Sequence, residues 1–247
     1  MKSNKLLGIT ILSDNKTIIL EKIIKYIGSP KGFFHIVSLN PENLVITQEN
    51  EEFKKVVETA QIKIVDGIGT VLAGRLLNLS LERLTGVDLM DNLINLVANM
   101  RLRVMLIGGK PNLALDLSKC YEDKYPEAKF LGLEGIKDIK SPKIEEEKAI
   151  FSIVTDYKPH VVFISFGSPD QELWLARHSS KFSGIVVMGV GGAFDYLSGR
   201  ISRAPRLFQK IGIEWFYRLI SQPWRWKRQL RLLKFIKLVL EQKWTKN

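Results

Sequence analysis

Val161-Val162-Phe163-Ile164-Ser165-Phe166 runs directly into Gly167-Ser168-Pro169-Asp170-Gln171-Glu172, and this stretch decides the fold. A short apolar run rich in β-branched residues and closed by a glycine turn reads as a strand buried on both faces. The turn leads into a helix predicted over residues 171–178. Five more such runs, at residues 35–38, 63–65, 104–107, 129–133 and 185–188, alternate with helices predicted over 42–59, 69–77, 88–99, 112–124 and 143–156. That alternation predicts an α/β fold, a mainly parallel sheet flanked by helices. Residues 6–12 read as a first strand; the run is too short for a signal peptide and lacks a small-residue cleavage site.

In doubly wound sheets, ligands bind beyond the carboxyl ends of the strands. Those ends carry Ser38-Leu39-Asn40-Pro41, Asp66-Gly67-Ile68-Gly69, Gly108-Gly109, the Gly167 turn with Gln171 and Glu172, and Gly189-Val190-Gly191-Gly192-Ala193-Phe194-Asp195. Glycine lets the backbone approach a phosphate, and the helix that follows offers unpaired amides to an anion. Such a turn also needs glycine and asparagine simply to turn, so one site decides little. Five on one edge point to a crevice for a nucleotide or sugar phosphate. Asp66 suits a general base for an acceptor hydroxyl, and it equally suits the cap of a helix starting near Ile68. Asp195 has the same pair of readings, ribose or base recognition against a helix cap.

Several chemistries are excluded. The Gly189 run has Phe194 where a dinucleotide fingerprint requires glycine, and the acid expected about 20 residues on would be Glu214, in the wrong part of the chain. No lysine-bearing phosphate loop occurs, and no Asp-x-Asp pair, so neither a cofactor nor a dedicated metal site is expected. One cysteine, Cys120, and three histidines allow no internal disulfide and no zinc set, which fits a reducing compartment. Cys120 itself reads as a partly buried structural residue. No run approaches the roughly 18 apolar residues of a membrane span. The expectation is a cytoplasmic chain.

The net charge of +11 is confined to one region. Residues 200–247 hold 13 Lys and Arg against 2 Asp and Glu, which leaves 24 against 24 in residues 1–199. Four of the five tryptophans, Trp215, Trp224, Trp226 and Trp244, lie in the same tail. Leu232, Phe235, Ile236, Val239 and Leu240 repeat at helical spacing, with Lys227, Arg231, Lys234 and Lys237 on other sides. Such a basic amphipathic helix rests on an anionic membrane, contacts nucleic acid, fits a partner's groove or docks on its own domain. The tryptophans favour a membrane interface. The domain reading is a catalytic body over 1–199 and a basic, Trp-rich helical appendage over 200–247.

Taken in order, Asp66-Gly67-x-Gly69, Gly167-x-Pro169-x-Gln171-Glu172, Gly189-Val190-Gly191-Gly192-x-Phe194-Asp195, Arg203-Ala204-Pro205 and Glu214-Trp215-x-Tyr217-Arg218 closely resemble the WecG/TagA/CpsF glycosyltransferases. The resemblance runs from about Leu7 to the end. It implies a Rossmann-like fold of the GT-E type and transfer of N-acetylmannosamine, its uronic acid or a related hexose from a UDP donor to a polyprenyl-diphosphate-linked acceptor. Such transfer builds wall teichoic acid, common antigen or capsule precursors at the inner face of the cell membrane, without a metal. The resemblance places the catalytic base on Asp66, with Arg83 beside it as a ligand for phosphate or acceptor. Ser38-Leu39-Asn40 stands where the family has Thr-Pro-Asn, so the hydroxyl is kept and the proline is not. Gln171 and Asp195 fall on the UDP pocket. Arg218, Arg225 and Arg228 fit three appendage arginines that close over the site. Self-association is also suggested by relatives. The rival reading, a nucleic-acid-binding protein with a basic tail, rests on charge segregation alone and leaves the five strand ends unexplained. A membrane-surface scaffold without catalysis is a third.

Overall fold

The computed structural model describes residues 5–12, 14–205, 208, 214–221 and 226–245. Two short strands, β1 (Lys5–Leu6) and β2 (Ile9–Thr10), are followed by α1 (Lys16–Gly28), β3 (Phe34–Leu39), α2 (Pro41–Glu49), α3 (Glu51–Thr59) and β4 (Ile62–Val65). Then come α4 (Ile68–Leu76), α5 (Gly86–Asn99), β5 (Arg103–Gly108), α6 (Leu113–Lys124), β6 (Lys129–Leu133), α7 (Ile144–Tyr157) and β7 (Val161–Ser165). After these lie α8 (Asp170–Arg177), β8 (Val186–Gly189), α9 (Ala193–Leu197), α10 (Glu214–Ser221) and α11 (Trp226–Thr245).

Six strands form one parallel sheet in the order β4-β3-β8-β7-β5-β6. Successive side chains alternate between its faces, which sorts the core into layers. Ile36, Val104, Phe163 and Met188 pack with α1, α5, α6 and α9. Val37 packs with α2 and α3, and Met105, Val162 and Val187 with α7 and α8. Burial on both faces explains why the strands read as continuous Val and Ile runs. From β3 the chain steps outward to β4, then crosses to β5 on the other side of the sheet. The carboxyl ends near that reversal, at β3, β4, β7 and β8, therefore open into a crevice.

Three expectations need correction. Residues 6–12 do not add a strand to the sheet; β1 and β2 pair antiparallel with each other, turning at Leu7 (φ 48°) and Gly8 (φ 79°). Two positive φ values in succession match the turn whose twist suits a tight hairpin. The helix expected over 42–59 is two, because Asn50 leaves helical geometry (φ −136°, ψ 105°) and its side chain accepts from the Phe53 amide at 2.9 Å. Asparagine competes with the helix for its own backbone, so it ends one helix and caps the next. Cys120 is exposed, not partly buried. A helix that the sequence reading leaves unassigned, α1, is capped by Asn15, which accepts from the Ile18 amide at 2.9 Å.

The last helix docks on the body. Phe235 and Val239 are 2% and 3% exposed, within the cluster of α2, α3 and α4. Burying side chains of this size stabilises by about 1.5–3 kcal/mol each. Arg231 reaches Glu42 at 2.7 Å and Lys234 reaches Glu49 at 2.6 Å. Gln242 accepts from the Leu7 amide at 2.8 Å and donates to the Lys5 carbonyl at 2.9 Å, clasping the β1–β2 hairpin. The other side of α11 leaves Trp226, Leu230, Leu233 and Trp244 exposed.

Candidate active site at the carboxyl edge of the sheet

A cavity of about 980 Å³ lies over the ends of β3, β4, β7 and β8. Asp66 follows β4 directly; its amide donates to the Leu39 carbonyl at 2.8 Å, which ties the two strand ends together. The cap reading of Asp66 does not hold for α4, whose N-cap is Gly67 with no side-chain cap bond. Gly67 has φ 94°, a conformation that side chains other than glycine resist. The Asp66 carboxylate instead faces the start of α5, where the Gly86 amide lies 3.4 Å from Oδ2. The positive end of a helix attracts an acidic side chain placed there.

Beside Asp66 runs a chain of charges. Arg83 pairs with Val65 through a lone bridge at the sheet edge, and its guanidinium lies 3.7 Å from Glu214 of α10. Glu214, 6% exposed, also lies 3.7 Å from Arg203. Arg203 donates to Asp88 at 2.6 Å and to Thr85 at 3.2 Å. Burial works against the Asp88 charge, but hydrogen bonds from Arg203 and Thr85, with the charges of Arg203 and Arg83, hold its carboxyl below the usual range. Glu214 thus seats α10 beside Arg83 of the body and Arg203 from the first residues of the tail.

The far wall is a hydrogen-bonded polar cluster. The Gln171 amide oxygen accepts from Gly167 at 3.0 Å and Gly191 at 3.3 Å, joining the loops after β7 and β8. Gly189 leaves room for it, since a Cβ there would stand 2.5 Å from the Gln171 amide nitrogen. Glu172 is 1% exposed and accepts from Gln171 at 2.7 Å and Ser168 at 2.8 Å. Burial outweighs those bonds and pushes its carboxyl up to about 7. Ser168 also lies 3.1 Å from the Asn43 side-chain oxygen, and Asn43 donates to the Ser38 carbonyl at 2.8 Å. One hydroxyl hydrogen cannot serve both acceptors. When Glu172 holds a proton it can donate to Ser168, which frees the serine hydrogen for Asn43.

Of the residues expected at the site, Ser38, Asn40, Asp66, Gly67, Arg83, Gly109, Gln171, Glu172, Gly189, Gly191, Gly192 and Asp195 line this cavity. Gly108 is not on this lining; a Cβ there would meet the Phe166 ring at 2.6 Å, so packing alone calls for glycine at that position. Arg225 lies outside the described residues, as do the side chains of Arg218 and Arg228. Sequence reasoning missed Lys110, which pairs with Asp195 at 2.9 Å, and it missed Thr85 and Ser165 on the lining. Lys110 directly follows Gly108-Gly109, so its place at a strand end was a readable signal. Among the described residues, no group of three His, Cys, Asp or Glu side chains is placed to hold a metal ion.

The sequence model of the glycosyl transferase WecG/TagA/CpsF family matches residues 4–247. An N-acetylglucosaminyldiphosphoundecaprenol N-acetyl-beta-D-mannosaminyltransferase from Bacillus subtilis (strain 168) is 28% identical over 243 residues, 98% of this chain and 93% of that protein. A protein of the same name from Bacillus spizizenii is 30% identical over 217 residues, 87% of this chain and 82% of its own length. The chain belongs to the glycosyl transferase WecG/TagA/CpsF family.

Proposed function

We propose that this chain transfers a sugar of the N-acetylmannosamine type from a UDP-linked donor to the sugar of a polyprenyl-diphosphate-linked acceptor. Two relatives named for transfer onto N-acetylglucosaminyldiphosphoundecaprenol support the substrate pair. The observation that carries the chemistry is the carboxylate of Asp66, lining the cavity and aimed at the start of α5. In one inverting displacement, the acceptor oxygen bonds to the anomeric carbon of the donor sugar. Its proton passes to an Asp66 oxygen, and the electron pair of the broken bond leaves on the UDP diphosphate.

Charge explains what the tail adds. Among the described residues lining the cavity, Glu42, Asp66, Glu172, Asp195 and Glu214 stand against Arg83 and Lys110. Burial pushes the Glu172 carboxyl up to about 7, and Glu42 and Glu214 face Arg231 and Arg203, so the described lining holds no excess of cations for a diphosphate. The tail carries the compensating charge, and Arg218, Arg225 and Arg228 are the residues assigned to it, since guanidinium grips phosphate oxygens in a bidentate fashion. That role needs no metal, in keeping with a sequence that has no Asp-x-Asp pair. Exposed Trp226, Leu230, Leu233 and Trp244, with Lys234, Lys237 and Lys243 nearby on α11, suit a peripheral hold on the cytoplasmic face of the membrane. No helix among the described residues is long and apolar enough to cross a membrane.

A panel of UDP-sugars presented with an N-acetylglucosamine-diphosphate lipid, scored for UDP release, tests the reading. Release with UDP-N-acetylmannosamine, undiminished by EDTA, is expected. A silent panel overturns the proposal, and activity that vanishes with EDTA and returns with manganese overturns the metal-free version.

A further inference from the structure

The cavity extends past the polar site. At its outer end it is walled by Leu72 and Leu76 of α4 and by Ile236 and Leu240 of α11, with Phe235 and Val239 at its base. These four rim side chains are 52%, 38%, 48% and 37% exposed, so two helices far apart in the sequence hold aliphatic groups toward one open groove. A diphosphate has no use for such a wall, and the face of a base, the C–H face of a sugar or an N-acetyl methyl would cover only a small part of it. The volume, about 980 Å³, is at the upper end of what small-ligand sites show, which leaves room beyond a sugar nucleotide. Helix α4 starts beside Asp66 and runs outward, so Leu76 lies about 12 Å along the axis from Ile68.

We infer that the groove between α4 and α11 holds the isoprenoid chain of the acceptor where it leaves the diphosphate. The inference rests on the proposed acceptor class and adds a binding site for its lipid portion. The occupant follows from continuity, since the groove and the Asp66 site are one cavity. An acceptor with its sugar at Asp66 extends through its diphosphate to its lipid, and this is the apolar exit the described residues provide. From the rim the chain meets the exposed apolar side of α11, at Leu233 and Leu230. The groove therefore makes chain chemistry part of substrate recognition even where no membrane is present.

The test uses the full chain without vesicles or detergent, and N-acetylglucosamine-diphosphate acceptors bearing a methyl or a farnesyl group, each below its micelle concentration. Wild-type turnover of the methyl acceptor establishes the transfer itself, whatever the groove does. Wild-type kcat/KM is expected to rise at least about tenfold from methyl to farnesyl, through KM, as apolar surface leaves water. The double variant Leu72→Gln with Ile236→Gln should lose most of that gain while the KM for UDP-sugar stays put. Both positions are about half exposed and glutamine is a good helix former, so the fold should hold. If its melting temperature falls, Leu76→Gln with Leu240→Gln repeats the measurement. An unchanged gain in the variants overturns the inference, as does no gain in the wild type. A variant that changes the molecular mass in solution but keeps the gain assigns the groove to a second copy of the chain and also overturns it. No turnover of the methyl acceptor removes the premise, and the inference with it.

Discussion

The carboxyl edge of the sheet and the last helix treat charge in opposite ways. At the sheet edge, carboxyl groups outnumber cations on the described lining: Asp66 at the end of β4, Glu172 buried behind Ser168, Asp195 against Lys110. In the tail, 13 basic residues face 2 acids. One of those acids, Glu214, is turned inward between Arg83 and Arg203. On the proposed reading the body supplies the base and the tail supplies the counter-charge for the diphosphate. The excess of +11 then serves the site as well as the surface.

Three substitutions sharpen or break that contrast. The largest effect is expected from Asp66→Asn, which keeps the shape and the bond from Gly86 but cannot take a proton. Turnover should fall about a hundredfold to ten-thousandfold while the Kd for UDP, measured by calorimetry, hardly moves. Near-normal turnover would place the chemistry outside the body's strand end. Next is Phe235→Ala, which empties the main contact of α11 and should cost about 3–5 kcal/mol of docking. Hydrogen exchange should speed up in α11 and the β1–β2 hairpin and stay slow in α5. Uniform acceleration would show that tail and body unfold as one unit. The smallest is Glu172→Gln, a body-only change read through pH. The Glu172 carboxyl is raised from 4.5 to about 7 on folding. Below pH 4.5 both states hold the proton and the stability is fully present. As pH rises, the unfolded chain releases its proton first, so stability is lost until the folded group ionises near 7. Each unit of the shift corresponds to about 1.4 kcal/mol. The variant should lose none of it, and its melting temperature should gain on wild type across that interval and run parallel above it. Parallel curves throughout would mean that Glu172 is ionised in the folded protein.

The sheet was legible because five of its strands carry buried Val or Ile, and burial of that kind leaves a mark in the sequence that tertiary contacts do not blur; β6, with Phe130 and Leu131 between Lys129 and Gly132, carries neither. The site was legible just past the strand ends, where Asp66 follows β4 directly, Gly191 comes two residues after β8, and Gln171 lies in the first turn of α8 after β7. Residues brought in from elsewhere were not. Glu214 and Thr85 reach the same charge chain from segments 129 positions apart, and no local pattern announces that meeting. The raised carboxyl of Glu172 was equally hidden, since its cause is burial by other elements. Asn50 was readable as a cap but was masked by a helical pattern on either side. The tail was half legible. Its apolar residues were visible as a helix, yet they cover more than one side, and the sequence does not say that Phe235 and Val239 face inward while Leu230 and Leu233 face out.

The clasp of Gln242 on Lys5 and Leu7 joins segments 235 and more positions apart. On a ribosome the hairpin is made before its partner, with synthesis at about 5–20 residues per second separating them by some tens of seconds. For that interval the apolar side of α2 and α4 that Phe235 will cover stands open to water and to other chains. The α11 side of the cavity's outer wall then arrives well after the sheet. A nascent body can finish its sheet before the proposed lipid groove has both its walls, so the timing of translation delays acceptor capture until α11 has been made.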